Sequence, residues 1–435
     1  MSVPSLIAQL VNLLYNLVDR MYIGRLPEVG TLALTGLGLC NPIILLISGF
    51  SFFVGSGGAP LASIELGRGD RNTAERILGT GTTMLAFFSV VLTVFFLIFK
   101  KPLLMLFGAS EITLPYADEY LTVYLYGTVF VMFALGLNSF ITCQGQARIA
   151  MLSVIIGAVI NIVLDPIFIF TFSMGVKGAA LATIISQCIS AVWIVAFLIS
   201  RRSSLRIKRE TLTPDFKLVG RISALGISPF IMQATESLVN IVFNSGLQKY
   251  GGDIYVGSMT VLTSVMQIKT VLTRGFTHGC QPVISYNYGA HKFDRVKQTF
   301  RLMCICTISF SCLFLLSVFL FPGAFARIFT DEQELIELTK KVLPVYVGGM
   351  WIFGLQMSVQ STFLGLGQAK VSLFIACLRK VILLVPLALI LPGFFGVMGI
   401  YWAEPIADSL CAITSGVIFY FMSKKLLADD AEIKV

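Results

Sequence analysis

Charged residues are scarce in this chain of 435 residues: Asp, Glu, Lys and Arg make up 13%, where a soluble domain carries about a quarter. Histidine occurs only twice and tryptophan three times. No two of the nine cysteines are spaced as CxxC, so neither a zinc site nor a disulfide framework is indicated. Set inside apolar runs, as at Cys304 and Cys306, they read as small buried residues. There is no Walker phosphate loop, no HExxH and no serine–histidine pairing, which argues against direct ATP use and against intramembrane hydrolysis. No enzyme activity and no cofactor is expected. No basic run is interleaved with aromatics on a polar helix, so no nucleic-acid partner is expected either. A cleavable leader is not indicated. The first apolar stretch contains Asn12, Asn16 and Asp19, which do not suit a signal core.

Apolar side chains are what the chain has in excess. They make up 56% of it, and mean hydropathy is +0.86. Lipid is the solvent that suits such a surface. Runs long enough to cross a bilayer, roughly 20 residues, fall at 3–23, 30–60, 78–99, 116–143, 150–172, 176–199, 219–247, 255–285, 297–321, 338–364, 371–391 and 397–422. The fold predicted is an all-α integral membrane protein of twelve transmembrane helices. Lys and Arg concentrate between the spans that one orientation places inside, for example Arg68, Arg71 and Arg76, the 201–209 cluster, and Lys292, Arg295 and Lys297. Lys269 and Arg274 are read as lying within a span. This asymmetry puts both termini in the cytoplasm. Residues 1–199 form an amino-terminal six-helix lobe, 200–218 a basic cytoplasmic linker, 219–424 a carboxy-terminal six-helix lobe, and 425–435 a short tail.

The two lobes repeat. Shifted by 222 residues, Pro60, Ser63 and Gly67 fall on Pro282, Ser285 and Gly289, Tyr124 and Gly127 on Tyr346 and Gly349, and Gly145-Gln146-Ala147 on Gly367-Gln368-Ala369. Gly175 and Gly178 meet Gly396 and Gly399 after a small slip, and Gln9, Asn12 and Asn16 meet Gln233, Glu236 and Asn240 at 224. Six spans per copy is an even number, so both copies enter from the same side. They form two bundles related by a pseudo-twofold axis along the membrane normal, a transporter architecture.

Polar residues inside spans default to functional hypotheses. Asn12, Asn16 and Asp19 share one face of span 1 at i, i+4 and i+7. Asn161 and Asp165 are one turn apart on span 5, and Thr183 and Gln187 share a face of span 6. Asn138 on span 4 completes a first-half polar cavity. Two acids in a low-dielectric site cannot both stay ionised cheaply, so one can carry a proton. Ionised, the same oxygens suit Na⁺. Interhelical hydrogen bonding is the plainer alternative, and for Asn16 or Gln187 it weighs as much. In the second half the candidates are Glu236 and Asn240 on span 7, Lys269, Arg274 and His278 on span 8, and Gln356 on span 10. Glu236 could pair with Lys269 or Arg274. Glu404 and Asp408 on span 12 are further candidates, with Pro405 between them.

Several segments together resemble the multidrug and toxic compound extrusion (MATE) family. They are Val18-Asp19-Arg20-Met21-Tyr22-Ile23-Gly24-Arg25, Gly67-Arg68-Gly69-Asp70, Gly145-Gln146-Ala147, Asn161-Ile162-Val163-Leu164-Asp165-Pro166, Gly178-Ala179-Ala180-Leu181-Ala182-Thr183, and Gln281 through Gly289. The resemblance covers essentially the whole chain and points to the subgroup with a carboxylate in the first transmembrane helix. It implies secondary active efflux of small amphipathic, often cationic compounds by H⁺ or Na⁺ antiport, with alternating access between two lobes. A monomer in the lipid of a bacterial plasma membrane is expected. Asp19, Asn161, Asp165 and Thr183 match the family's first-half cation site, where Na⁺ would be held, and Glu236 matches a second-half acid. A lipid-linked precursor flippase of the wider superfamily would need a strongly basic cavity. A passive channel would transport without an ion requirement.

Overall fold

The computed structural model describes residues 1–26, 30–329 and 332–428. Among these residues no strand occurs, as expected where the bilayer offers backbone groups no partner but the helix itself. Two compact units, Met1–Phe230 and Ile231–Val435, divide inside one helix just after Pro229.

The first unit holds α1 (Ser2–Gly24), α2 (Gly30–Gly67), α3 (Arg71–Leu106), α4 (Leu114–Tyr126), α5 (Thr128–Cys143), α6 (Ala147–Pro166), α7 (Gly175–Ile199) and the start of α8 (Phe216–Gly251). A π-helical turn, Ile167–Thr171, extends α6. The second unit continues α8 and adds α9 (Asp253–Gly289), α10 (Phe293–Leu320), the short α11 (Pro322–Arg327), α12 (Gln333–Tyr346), α13 (Met350–Gly365) and α14 (Ala369–Cys377). A π-helical stretch, Leu378–Leu384, leads on to α15 (Val385–Ile390), α16 (Pro392–Phe395) and α17 (Val397–Leu426).

Among the described residues, seven spans are long and apolar enough to cross a membrane as they stand. Two bent pairs, α4 with α5 at 59° and α12 with α13 at 52°, bring the number to nine. The sequence reading takes each of these pairs as one run. The structure breaks them at Gly127 and Gly349, which are repeat equivalents. A Cβ on Gly127 would lie 2.4 Å from the Ile184 side chain, and one on Gly349 2.6 Å from the Pro405 carbonyl. The remaining three spans of the twelve are α1, α8 and α9. They are 23, 36 and 37 residues long, so length is ample, but polar residues lower their hydropathy.

The repeat is written into individual bonds. Ser63 Oγ donates to the Cys143 carbonyl at 3.3 Å, and Ser285 Oγ to the Gly365 carbonyl at 2.8 Å. Asn138 Nδ2 donates to the Ala150 carbonyl at 3.0 Å, and Gln360 Nε2 to the Ser372 carbonyl at 3.0 Å. Both pairs preserve the offset of 222 at donor and acceptor alike.

Ion pairs at the ends of α2 and α3 reach the polar segment 200–218, through Asp215 and Lys208, and the start of α8. Glu65 accepts from Arg68 at 3.2 Å and Arg221 at 3.1 Å, Arg76 meets Asp215 at 2.7 Å, and Glu75 takes Arg71 and Lys208. Within the same unit α2 and α8 cross at contact distance. A Cβ on Gly226 would lie 1.9 Å from the Phe53 carbonyl oxygen, and one on Gly57 2.4 Å from that of Ile222.

Candidate functional site

Small residues bring α6 and α7 together. A Cβ on Gly157 would strike Ser190 Oγ at 2.4 Å, and one on Gly178 the Phe168 backbone at 2.8 Å. Such close approach is how helices associate in lipid. It sets Asn161 of α6 opposite Thr183 of α7: Asn161 Nδ2 donates to Asp165 Oδ1 at 3.2 Å and reaches Thr183 Oγ1 at 3.5 Å. Pro166 follows Asp165 and withholds a backbone donor, and the helix widens into its π turn there. α1 packs along α6 and buries Asp19, which lies in electrostatic contact with Asp165.

Asp19, Asn161, Asp165 and Thr183 are all at most 8% exposed. Among the described residues, Asp19 Oδ1, Asn161 Oδ1 and Asp165 Oδ2 are buried without a hydrogen-bond partner. All three are acceptors. Each buried acceptor left unpaired costs about 1–3 kcal/mol. A proton or a cation would relieve that cost, and oxygen-only donors suit a hard cation. Among the described residues there is no group of three or more His, Cys, Asp or Glu arranged for a metal.

One helical turn away from Asn161 and Thr183 lies a cavity of about 40 Å³, lined by Asn12, Tyr15, Ser153, Gly157, Ser186 and Gln187 among others. It has room for a few waters and is far below the roughly 300–1,000 Å³ of a drug pocket. The other first-half candidates are placed differently. Asn16 is exposed and donates to the Asn12 carbonyl at 2.7 Å. Asn138 Nδ2 is engaged by the Ala150 carbonyl and by Ser153 Oγ at 2.7 Å.

The second unit carries a different electrostatic cluster. Arg379 Nε donates to Asp408 Oδ1 at 2.7 Å and Arg379 Nη2 to Glu404 Oε1 at 3.1 Å. Lys269 is buried, with Nζ 3.7 Å above the Phe353 ring and the Arg379 guanidinium 4.6 Å from the same ring. The expected partner of Glu236, Lys269 or Arg274, is not the one found. Glu236 pairs with Lys380, which reaches it from the π-helical stretch after α14. Arg274 is in electrostatic contact with Glu236 and Arg379, and His278, one turn on, with Arg274. Asn240 is exposed, and Gln356 is buried with Oε1 unpaired.

The MatE sequence profile matches this chain twice, over residues 4–167 and 229–390. The chain belongs to the MatE family. Two matches in one chain also account for the repeat. The multidrug export protein MepA of Staphylococcus aureus (strain MSSA476) is 26% identical over 437 residues, covering 99% of this chain and 95% of that protein. MepA of Staphylococcus saprophyticus is 25% identical over 435 residues with the same coverage. Among solved structures, a MATE transporter in complex with MaL6 superimposes with a TM-score of 0.91 at 23% identity, over 98% of this chain and 95% of that one. A MOP superfamily transporter from Pyrococcus furiosus, described as having a binding pocket of reversed polarity, gives 0.92 at 23%, over 99% and 96%. At that identity the structures establish the fold: twelve transmembrane helices in two bundles. This MatE protein is a multi-pass membrane transporter and not an enzyme.

Two cations of this MatE protein escape the sequence reading. Arg379 and Lys380 sit inside the run 371–391, and the sequence reading singles out neither. Tyr15, in electrostatic contact with Asp19 and Asp165, escapes as one aromatic among many. The i, i+4 relation of Tyr15 to Asp19 is the signal that could have found it.

Proposed function

We propose that this protein is a multidrug exporter driven by the entry of a monovalent cation, H⁺ or Na⁺, at Asp19, Asn161, Asp165 and Thr183. The three unpartnered acceptor oxygens of that cluster carry the reading. A cation arriving there satisfies them and changes how α1 packs on α6. Its departure restores the acceptors and resets the carrier. Substrates are drugs, as the multidrug export name of the MepA relatives suggests, with amphipathic, often cationic, small compounds among them. The protein sits in a bacterial plasma membrane with both termini cytoplasmic, an orientation supported by the placement of Lys and Arg.

The flippase alternative gains little. Lys269, Arg274, Arg379 and Lys380 face Glu236, Glu404 and Asp408 in the second unit, an excess of one positive charge and no strongly basic cavity.

The test is ethidium accumulation in proteoliposomes with an imposed pH gradient, an imposed Na⁺ gradient, or neither. Accumulation is expected with one of the two gradients and not without. Equal transport in all three would identify a passive channel.

A further inference from the structure

The two units are built on one repeat, yet they treat charge in opposite ways. Three anchors set the register within the repeat. Asn138 and Gln360 bond the carbonyls of Ala150 and Ser372. Gly157 and Arg379 each lie seven residues further on, and Asn161 and Asp165 then correspond to Leu383 and Leu387. Gly178 and Gly399 each press on the backbone of the preceding turn, at Phe168 and Leu391, with a Cβ distance of 2.8 and 2.5 Å. Thr183 and Gln187 therefore correspond to Glu404 and Asp408. Asn12 corresponds to Glu236, which puts buried Phe243 at the place of Asp19.

In the first unit, then, acids on α1 and α6 lie beside the Asn161 amide of α6 and the Thr183 hydroxyl of α7, and among the described residues no side-chain cation forms an ion pair with them, although Arg20 lies within electrostatic range of Asp19. In the second, the acids have moved to α17 and a cation stands opposite them. The Arg379 guanidinium takes both, at 2.7 and 3.1 Å, with all three side chains at most 11% exposed. Lys269 is buried nearby, its Nζ 3.7 Å above the Phe353 ring that the Arg379 guanidinium faces at 4.6 Å. Each carboxylate therefore has a resident cation already bonded to it. A carboxylate pair of this kind stripped of its cation would be costly in lipid.

We infer that Arg379 is a built-in cation: in the second unit it fills the place that the first unit keeps for the exchangeable coupling ion. This rests on the reading of the first unit as the ion site, and it adds that the ion binds in one half only. Arg379 is on this view a positioning residue, holding α17 against the stretch after α14 in every step of the cycle.

Two measurements on the purified full-length protein test it. The first is thermal melting with and without millimolar methylguanidinium, a free analogue of the missing group. The Arg379→Ala variant is expected to gain at least about 3 °C from it while the wild type gains nothing. No gain in the folded variant, or the same gain in both proteins, overturns the inference. The second is titration of Asp19→Asn with Na⁺ at fixed pH. No saturable Na⁺ binding is expected, since the Arg379 guanidinium already bonds both Glu404 and Asp408, although Asp408 Oδ2 is left without a hydrogen-bond partner, and this arm decides alone should Arg379→Ala not fold. Residual binding that disappears on adding Asp408→Asn overturns the inference. Residual binding that Asp408→Asn leaves untouched counts against Asp19 as the ion's ligand, while the second-unit acids still bind no ion, as inferred.

Discussion

Replacing Asp19 by Asn is expected to abolish ion-driven drug accumulation while leaving the protein folded. Asn keeps the shape and an acceptor oxygen but cannot exchange a charge. One cation entering down 100 mV contributes about 2.3 kcal/mol, a factor of roughly fifty in the equilibrium ratio of a neutral drug. With that step removed, the ratio reached in proteoliposomes under an imposed ion gradient should fall from tens towards one. Stability is expected to move the other way or not at all. Asp19 Oδ1 is buried without a partner, so the carboxylate costs stability as it stands. A melting temperature at or above that of the wild type, together with lost transport, distinguishes a coupling residue from a structural one. Unchanged accumulation would remove Asp19 from the mechanism.

The largest effect on folding is expected at Gly226. A Cβ there would lie 1.9 Å from the Phe53 carbonyl oxygen and 2.8 Å from its carbonyl carbon. These are backbone atoms of α2 and cannot swing aside as a side chain can. Gly57 presses back on α8 in the same way, so the two helices touch through glycine on both sides. Gly226→Val must force them apart, at about 3 kcal/mol or more, and folded protein should be largely lost in detergent size-exclusion profiles. Gly220→Ala, two turns earlier on α8, is the control. A Cβ there meets nothing within 4 Å, and alanine favours a helix by about 1 kcal/mol over glycine. Its melting temperature is expected to hold or rise. Equal behaviour of the two variants would contradict the close crossing.

Much of this architecture is legible before any coordinates, because lipid imposes simple rules. Apolar runs mark the spans, and an offset of 222 marks the repeat that Ser63 and Ser285 later express as matching hydrogen bonds. The polar face of α1 and the Asn161–Asp165 turn are legible because helical spacing alone puts those residues side by side. The second unit resists the same treatment. Lys380 finds Glu236 144 residues away in the chain, and Arg379 finds Glu404 and Asp408 25 and 29 residues away. Spacing within one helix says nothing about partners on another. The Pro405 that weakens the sequence argument for Glu404 and Asp408 lies inside a continuous α17, where both acids share a face because they remain one turn apart. The bends at Gly127 and Gly349 are visible as matching glycines but not as angles, since the neighbours that require glycine there, Ile184 and Pro405, come from other helices.

Ion release on drug binding bears most directly on the first-unit cluster. Ethidium is added to purified protein in weakly buffered, detergent-containing solution, and freed protons and freed Na⁺ are measured. About one ion per protein is expected from the wild type, as the single coupling site requires, and none from Asp19→Asn. Equal release from both proteins, or none from a wild type that demonstrably binds ethidium, would contradict ion exchange at Asp19, Asn161, Asp165 and Thr183.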